Sequence, residues 1–395
     1  LSVDYKFSEH SSAFVKLYSN KRNLVQMAYR FRAGNSSATR AQFTPDSTTA
    51  RSTLIASNAS TARARSFAST QKSFNYGFNA GSDHRLFDQT ATLNLRGGYS
   101  YNENDNAVAA QVDAIATGIG FSVEREGDSW YPKLTQTSGP DFLDPASYRI
   151  TALSNLVGHR PSEVYNLRAD FTKHLETAAP TYIKIGAKYT FNPREMDNVT
   201  RPFYTFAGPD GVPGTADDTM APYYHSRVRL NKGGYGPIPF LQIPFNNLPG
   251  DTHLEHPAYW VQTAADAYNT YNQENASDTK ISETIAAAYV SGHVNLGKLR
   301  ILGGVRVEDT ATSGTAWLRN QTAAWGGNSV GGASIAPSIV AANIERAERS
   351  FIRRVNAKGG YRKVFPGLHF VYEPMDHLMF RASYNSSISR PPLNN

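Results

Sequence analysis

The chain has 395 residues, 40% of them hydrophobic, with a mean hydropathy of −0.46 and a formal net charge of +7. It has no cysteine, which excludes disulfides and thiolate metal centres, and no apolar run approaches the roughly 18–20 residues of a membrane helix. Lys and Arg stand singly between apolar residues instead of in runs, which argues against a nucleic-acid partner.

Successive side chains of a strand point to opposite faces, so alternation of period two marks strands. Residues 1–8 set Val3, Tyr5 and Phe7 against Ser2, Asp4 and Lys6. A chain that opens inside such a run, without Met or a signal peptide, is expected to be a processed product or part of a longer protein. After a polar turn at 8–12, a run to about Arg32 carries Ala13, Val15, Leu17, Val25, Met27, Tyr29 and Phe31 on one parity. The other parity carries Lys16, Arg22, Gln26 and Arg30. Ser19, Lys21 and Asn23 interrupt the apolar parity about ten residues past the turn, enough to cross an apolar band of about 25 Å at a tilt near 40°. Should such strands cross a membrane, Lys21, with Arg22 nearby, is expected at the outer headgroups, against lipopolysaccharide phosphate; otherwise it is expected in solvent.

A Ser/Thr/Ala-rich connection (about 33–63) precedes Phe74, Tyr76 and Phe78, and a short turn is expected at 81–84. Leu93, Leu95, Tyr99 and Tyr101 lead into a second long connection (about 104–162). Tyr165, Leu167, Ala169 and Phe171, a turn at 175–180, and Ile183, Ile185, Ala187, Tyr189 and Phe191 lead to a third (about 192–279). Ala286, Ala288, Val290, Val294 and Leu296 turn at Gly297-Lys298 into Leu299, Ile301, Val305 and Val307. A fourth connection (about 311–360) delivers the last hairpin. There Leu368, Phe370 and Tyr372, a turn at 374–377, and Leu378, Phe380, Ala382 and Tyr384 oppose Arg381, Ser383 and Asn385. Val371 and Met379 are the apolar residues on the polar parity.

About ten strands are thus joined by connections that alternate short and long. Loops beyond about 12–15 residues are uncommon in compact domains, and a sandwich would bury its apolar face under a second sheet. The pattern predicts an all-β fold, a transmembrane antiparallel up-and-down β-barrel with short periplasmic turns and long extracellular loops. Lipid tolerates no unpaired sheet edge, which calls for closure. A passive porin or small closed outer-membrane barrel is the alternative.

The string FPGLHFVYEPMDHLMFRASYNSSISRPPLNN resembles the late-barrel segment of TonB-dependent outer-membrane receptors. Pro366, Leu368, Tyr372, Pro374, Asp376, Leu378, Arg381, Ala382, Ser383, Tyr384, Arg390 and Pro391 fall on that pattern, with Asn385 replacing the usual Ser. The resemblance implies active uptake of a bulky nutrient across the outer membrane of a Gram-negative bacterium: an iron chelate, cobalamin or oligosaccharide. It implies a 22-stranded barrel holding a plug, driven by the TonB–ExbB–ExbD complex. The plug, the TonB box and the closing strands are then expected outside this chain, which would be an internal barrel portion. Lipid and lipopolysaccharide are the other expected partners.

Among residues that could carry chemistry, the 192–279 connection is the richest in aromatics. Tyr223, Tyr224, Tyr235, Tyr259 and Trp260 are expected either to stack on substrate or to pack on one another, since a ring with a polar tip serves both. Asp210, Asp217 and Asp218 lie in an Asp/Gly stretch whose oxygens suit calcium or an ordinary turn. His253, Glu255 and His256 offer a weaker metal reading. No G-x-S-x-G, H-E-x-x-H or P-loop pattern occurs. The Asp83-His84 and Asp376-His377 pairs are expected in short turns, at the wrong rim for extracellular catalysis. No enzymatic activity and no cofactor are expected.

Overall fold

A computed structural model describes residues 1–34, 43–48, 50–56, 60–125, 133–224, 226–229, 237–240, 256–320, 322 and 329–390. In chain order the strands are β1 (Ser2–Ser8), β2 (Ser11–Gly34), β3 (Arg51–Leu54), β4 (Thr61–Leu86), β5 (Ala91–Thr117), β6 (Gly120–Glu124) and β7 (Lys133–Ser138). Next come β8 (Arg149–His159), β9 (Pro161–Leu175), β10 (Thr181–Phe206), β11 (Ser226–Arg229), β12 (Pro237–Phe240) and β13 (Trp260–Val261). The last four are β14 (Thr279–Leu296), β15 (Leu299–Arg319), β16 (Phe351–Met375) and β17 (Leu378–Asn385). Two helices, α1 (Ala264–Ala276) and α2 (Pro337–Ser350), lie in the third and fourth long connections.

One antiparallel sheet forms the wall, in the order β1-β2-β4-β5, then β8 with β9, then β10-β14-β15-β16-β17. β8 and β9 form one line interrupted at Arg160, since both pair with β5 and with β10. Counted that way, and setting aside the two-residue β13 on the tip of β10, the wall among the described residues has ten strands in simple up-and-down order, as the alternation implies. Among the described residues β1 pairs only with β2 and β17 only with β16, so the described sheet is an open wall.

Two expectations need correction. The second short turn is not at 81–84: β4 runs on to Leu86 and the chain turns over Phe87–Thr90, with Phe87, Asp88 and Gln89 at φ of 51°, 50° and 68°. Gly81, Ser82 and Asp83 carry no apolar alternation, yet they pair with Arg96, Leu95 and Asn94 of β5. Strand also reaches far into the stretches expected as loops. β4 begins at Thr61, β5 extends to Thr117, β10 to Phe206 and β15 to Arg319. In these tips the apolar parity is carried by small residues, as in Ala62, Ala64 and Ala68, which give little hydropathy contrast.

Below the tips the ladder separates two faces. Val3, Val15, Leu17, Phe78, Leu95, Leu167, Ile185, Val290, Val305, Val364, Leu368 and Phe380 are all exposed, and the register sets them on one face. The opposite face carries Arg96, Arg168, Lys184, Arg306 and Arg381. An apolar face left bare across a ten-strand sheet is what lipid contact requires, and what water does not tolerate over such an area.

On the polar face Tyr18 and Tyr289 fold over glycines. A Cβ at Gly77 would stand 2.6 Å from the Tyr18 hydroxyl oxygen, and one at Gly186 would stand 2.5 Å from a Tyr289 ring carbon. Only glycine leaves that space. Beside them Arg168 pairs with Asp170 at 2.6 Å and the Tyr289 hydroxyl donates to the same carboxylate.

The buried apolar core lies at the other end of the strands. Tips of β4, β5, β8 and β10 contribute Ala62, Ala64, Val112, Ala114, Ile150, Leu153 and Phe206. The connections add Ile119, Phe121, Phe142, Tyr148, Met220, Phe240 and Trp260. These connections form a cap on the tips, closed over β2 by Tyr29 against Phe240 and Phe31 against Phe142, with ring centroids 5.1 and 5.5 Å apart.

Candidate functional site

A row of rings crosses the apolar face. Tyr76, Tyr101, Tyr165 and Phe191 each stand ten positions from the turn end of their strands, at Leu86, Ala91, Leu175 and Thr181. Ten residues at a tilt near 40° rise about 25 Å, the height of an apolar membrane band. The register brings the rings into contact. Tyr76 lies 4.9 Å from Tyr101 and 6.2 Å from Tyr99, Tyr99 lies 4.9 Å from Tyr165, and Tyr165 lies 6.0 Å from Phe191. Immediately above, on the same face, the chemistry changes sign. The Tyr101 hydroxyl donates to Glu103 at 2.7 Å and the Tyr165 hydroxyl donates to Glu163. Amphipathic rings followed by carboxylates mark a membrane–water boundary. Lys21 pairs in register with Phe74, level with the upper edge of this row, and is exposed.

Above the boundary lies a cluster that the sequence reading did not single out. Glu103 and Asp105 of β5 meet His159 of β8, with one donor atom of each lying within 4.8 Å of the others. His159 Nδ1 is 3.0 Å from Asp105 and 4.0 Å from Glu103. A sequence signal exists, Glu-x-Asp after an aromatic pair, but its histidine is 54 positions away inside an expected loop.

The cap aromatics pack on one another. Trp260 is 5% exposed and meets Phe206 edge-on at 5.0 Å. Tyr223 and Tyr259, half-buried, also meet Phe206 edge-on, at 5.6 and 6.3 Å, and His256 stacks on Tyr259 at 4.6 Å. Tyr224 packs against the same core. The structure thus brings Tyr223, Tyr259 and Trp260 together around Phe206, while Tyr235 lies outside the described residues. His253 and Glu255 also lie outside them.

The Asp/Gly stretch is a tight turn built on its own carboxylates. Gly214 and Thr215 N–H groups donate to Asp218 Oδ2 at 2.6 and 3.1 Å, and the Asp210 N–H donates to Asp217 at 3.0 Å. Gly208, Gly211 and Gly214 supply the positive φ it needs. The Thr215 hydroxyl and the Asp210 N–H hold the Asp217 carboxyl below its ordinary value. Burial pushes Asp218 up, and its Oδ1 has no hydrogen-bond partner among the described residues. The Arg149 guanidinium donates to the Gly214 and Thr215 carbonyls, so a cation already sits on this turn.

Of the Asp-His pairs, Asp83-His84 lies within β4. Asp83 pairs with Arg96 at 2.6 Å, and His84 contacts the Ser11 and Ser82 hydroxyls at 3.1 and 3.0 Å. Asp376-His377 occupies the last turn, as expected, with His377 at φ 70°.

The family described as TonB dependent receptor-like, beta-barrel, matches residues 119–395. No curated protein matches the chain. Among solved structures, the siderophore receptor PiuA from Acinetobacter baumannii aligns at 7% identity and a TM-score of 0.31, covering 97% of this chain and 46% of that one. The chain therefore spans less than half the length of that receptor.

Proposed function

The chain belongs to the TonB-dependent receptor-like β-barrel family of the Gram-negative outer membrane, and from that premise we propose that it forms wall and cap of an active importer for a bulky nutrient. The observation that carries this reading is the single ladder with two faces, one bare and apolar, the other lined by arginines and lysines. A water-filled lumen bounded by lipid uses both. The connections at 33–63, 104–162, 192–279 and 311–360 face the outside, and their cap meets substrate first. Tyr223, Tyr224 and Tyr259 supply half-buried rings for that contact, and Tyr235 belongs to the same connection. Trp260 supports them from beneath. Energy comes from TonB–ExbB–ExbD acting on the plug of the whole receptor. The substrate class is an iron chelate, cobalamin or oligosaccharide.

Cells producing the intact receptor are expected to accumulate one member of a panel of ferric siderophores, cyanocobalamin and maltooligosaccharides only while TonB and the proton-motive force are present. Accumulation that survives a protonophore would replace the importer with a passive pore.

A further inference from the structure

Glu103, Asp105 and His159 share the outward face of the wall, one to two residue pairs above the ring row. Their side chains are 30%, 21% and 44% exposed, so an ion from outside reaches them. His159 Nδ1 can donate one hydrogen bond, and Asp105 takes it, together with the Arg160 N–H at 3.1 Å. Glu103 accepts from the Tyr101 hydroxyl and lies 4.0 Å from the same imidazole nitrogen, at the edge of ion-pair range. Lys72 stands opposite Asp105 in register yet makes no ion pair among the described residues. Two carboxylates this close repel unless a proton or a cation lies between them, and Glu163 adds charge on the neighbouring strand. At this height an outer membrane adds lipid phosphates, which raises the local negative charge further.

We propose that Glu103, Asp105 and His159 hold a divalent cation, and that the bound ion bridges the barrel to the phosphate of a lipid headgroup. An imidazole among the ligands favours zinc and neighbouring transition ions over magnesium and calcium, which prefer all-oxygen shells. Three protein ligands leave a coordination position open to the outside, where a phosphate oxygen completes the shell. The proposal rests on the apolar face being the lipid face.

Titration of the intact receptor in detergent micelles with zinc chloride is expected to show one saturable equivalent, with magnesium and calcium at least tenfold weaker. D105N and H159A should each weaken zinc binding at least tenfold, while H369A, on the opposite face, should not. Absence of saturable binding, or binding unchanged in both D105N and H159A, overturns the site. Heat-modifiable migration in gels shows that the variants remain folded. For the bridge, zinc should retain phosphorylated lipid A on the wild type but not dephosphorylated lipid A. Retention insensitive to a chelator overturns the bridge. Nutrient uptake by H159A cells should remain near wild type, so failure of the cation site and failure of the importer reading are told apart.

Discussion

β2 passes through two regions without one shift of register against β4, and they make opposite use of the same alternation. Near the turn, Val15 and Leu17 are exposed on the apolar face. Near the tip, Tyr29 and Phe31 stand on that same face but are covered by Phe240 and Phe142 of the cap. A two-residue period therefore records which side of a strand avoids water. What does the covering, lipid below or folded-back chain above, is decided by the connections.

Phe206→Ala attacks the cap at a fully buried ring, and a loss of about 3–5 kcal/mol is expected there. Limited proteolysis should open the 192–279 connection while gel migration of the barrel stays unchanged. Loss of both together would merge the two regions into one cooperative unit. Val290→Arg attacks the wall. Val290 lies between Ile185 and Val305 near the middle of the apolar band, where an arginine is unfavourable by about 2–4 kcal/mol if the face meets hydrocarbon. Refolding yield into bilayers should fall; an unchanged yield would mean that water, and not lipid, bathes this face.

Smaller effects sharpen the picture of the cap. Thr263 and Asp266 form a capping box at the start of α1, with the Asp266 N–H donating to Thr263 Oγ1 at 3.2 Å and the Thr263 N–H donating to Asp266 at 3.0 Å. Thr263→Ala should weaken α1 by about 1 kcal/mol, read as faster amide exchange over 264–270 and no change in the wall. Asp218 should give the cap a mild pH response. Its folded carboxyl titrates above 3.8 because burial favours the neutral form. In the window between 3.8 and that raised value the folded state holds more protons than the unfolded one, so stability falls as pH rises through it. Asp218→Asn should flatten the response, measured as cap proteolysis from pH 3.5 to 7.

The wall was legible in the sequence because its strands between turn and ring row alternate large apolar against charged residues, as in Leu167-Arg168 and Ile183-Lys184. The tips were not, because Ala62 and Ala64 keep the parity of β4 with too little bulk to register, while in β5 a register shift opposite Thr70 and Gln71 moves Ala114 and Ala116 to the other parity. The ring row was half legible. Its tyrosines fell on expected strands, but their contacts depend on cross-strand register, which no local pattern gives. The cation cluster joins residues from β5 and β8 that meet only once β8 continues the wall above Arg160. For the cap aromatics, composition left ligand contact and mutual packing open, and the structure buries Trp260 while leaving Tyr223 and Tyr259 half-buried.

The glycines beneath Tyr18 and Tyr289 have a consequence for substitution on the polar face. Each leaves room for a phenol close against the backbone of the neighbouring strand on the polar face. A methyl group at either position would collide with its phenol, and at Gly77 also with the Tyr99 carbonyl, so at these two points ring and glycine can be exchanged only together.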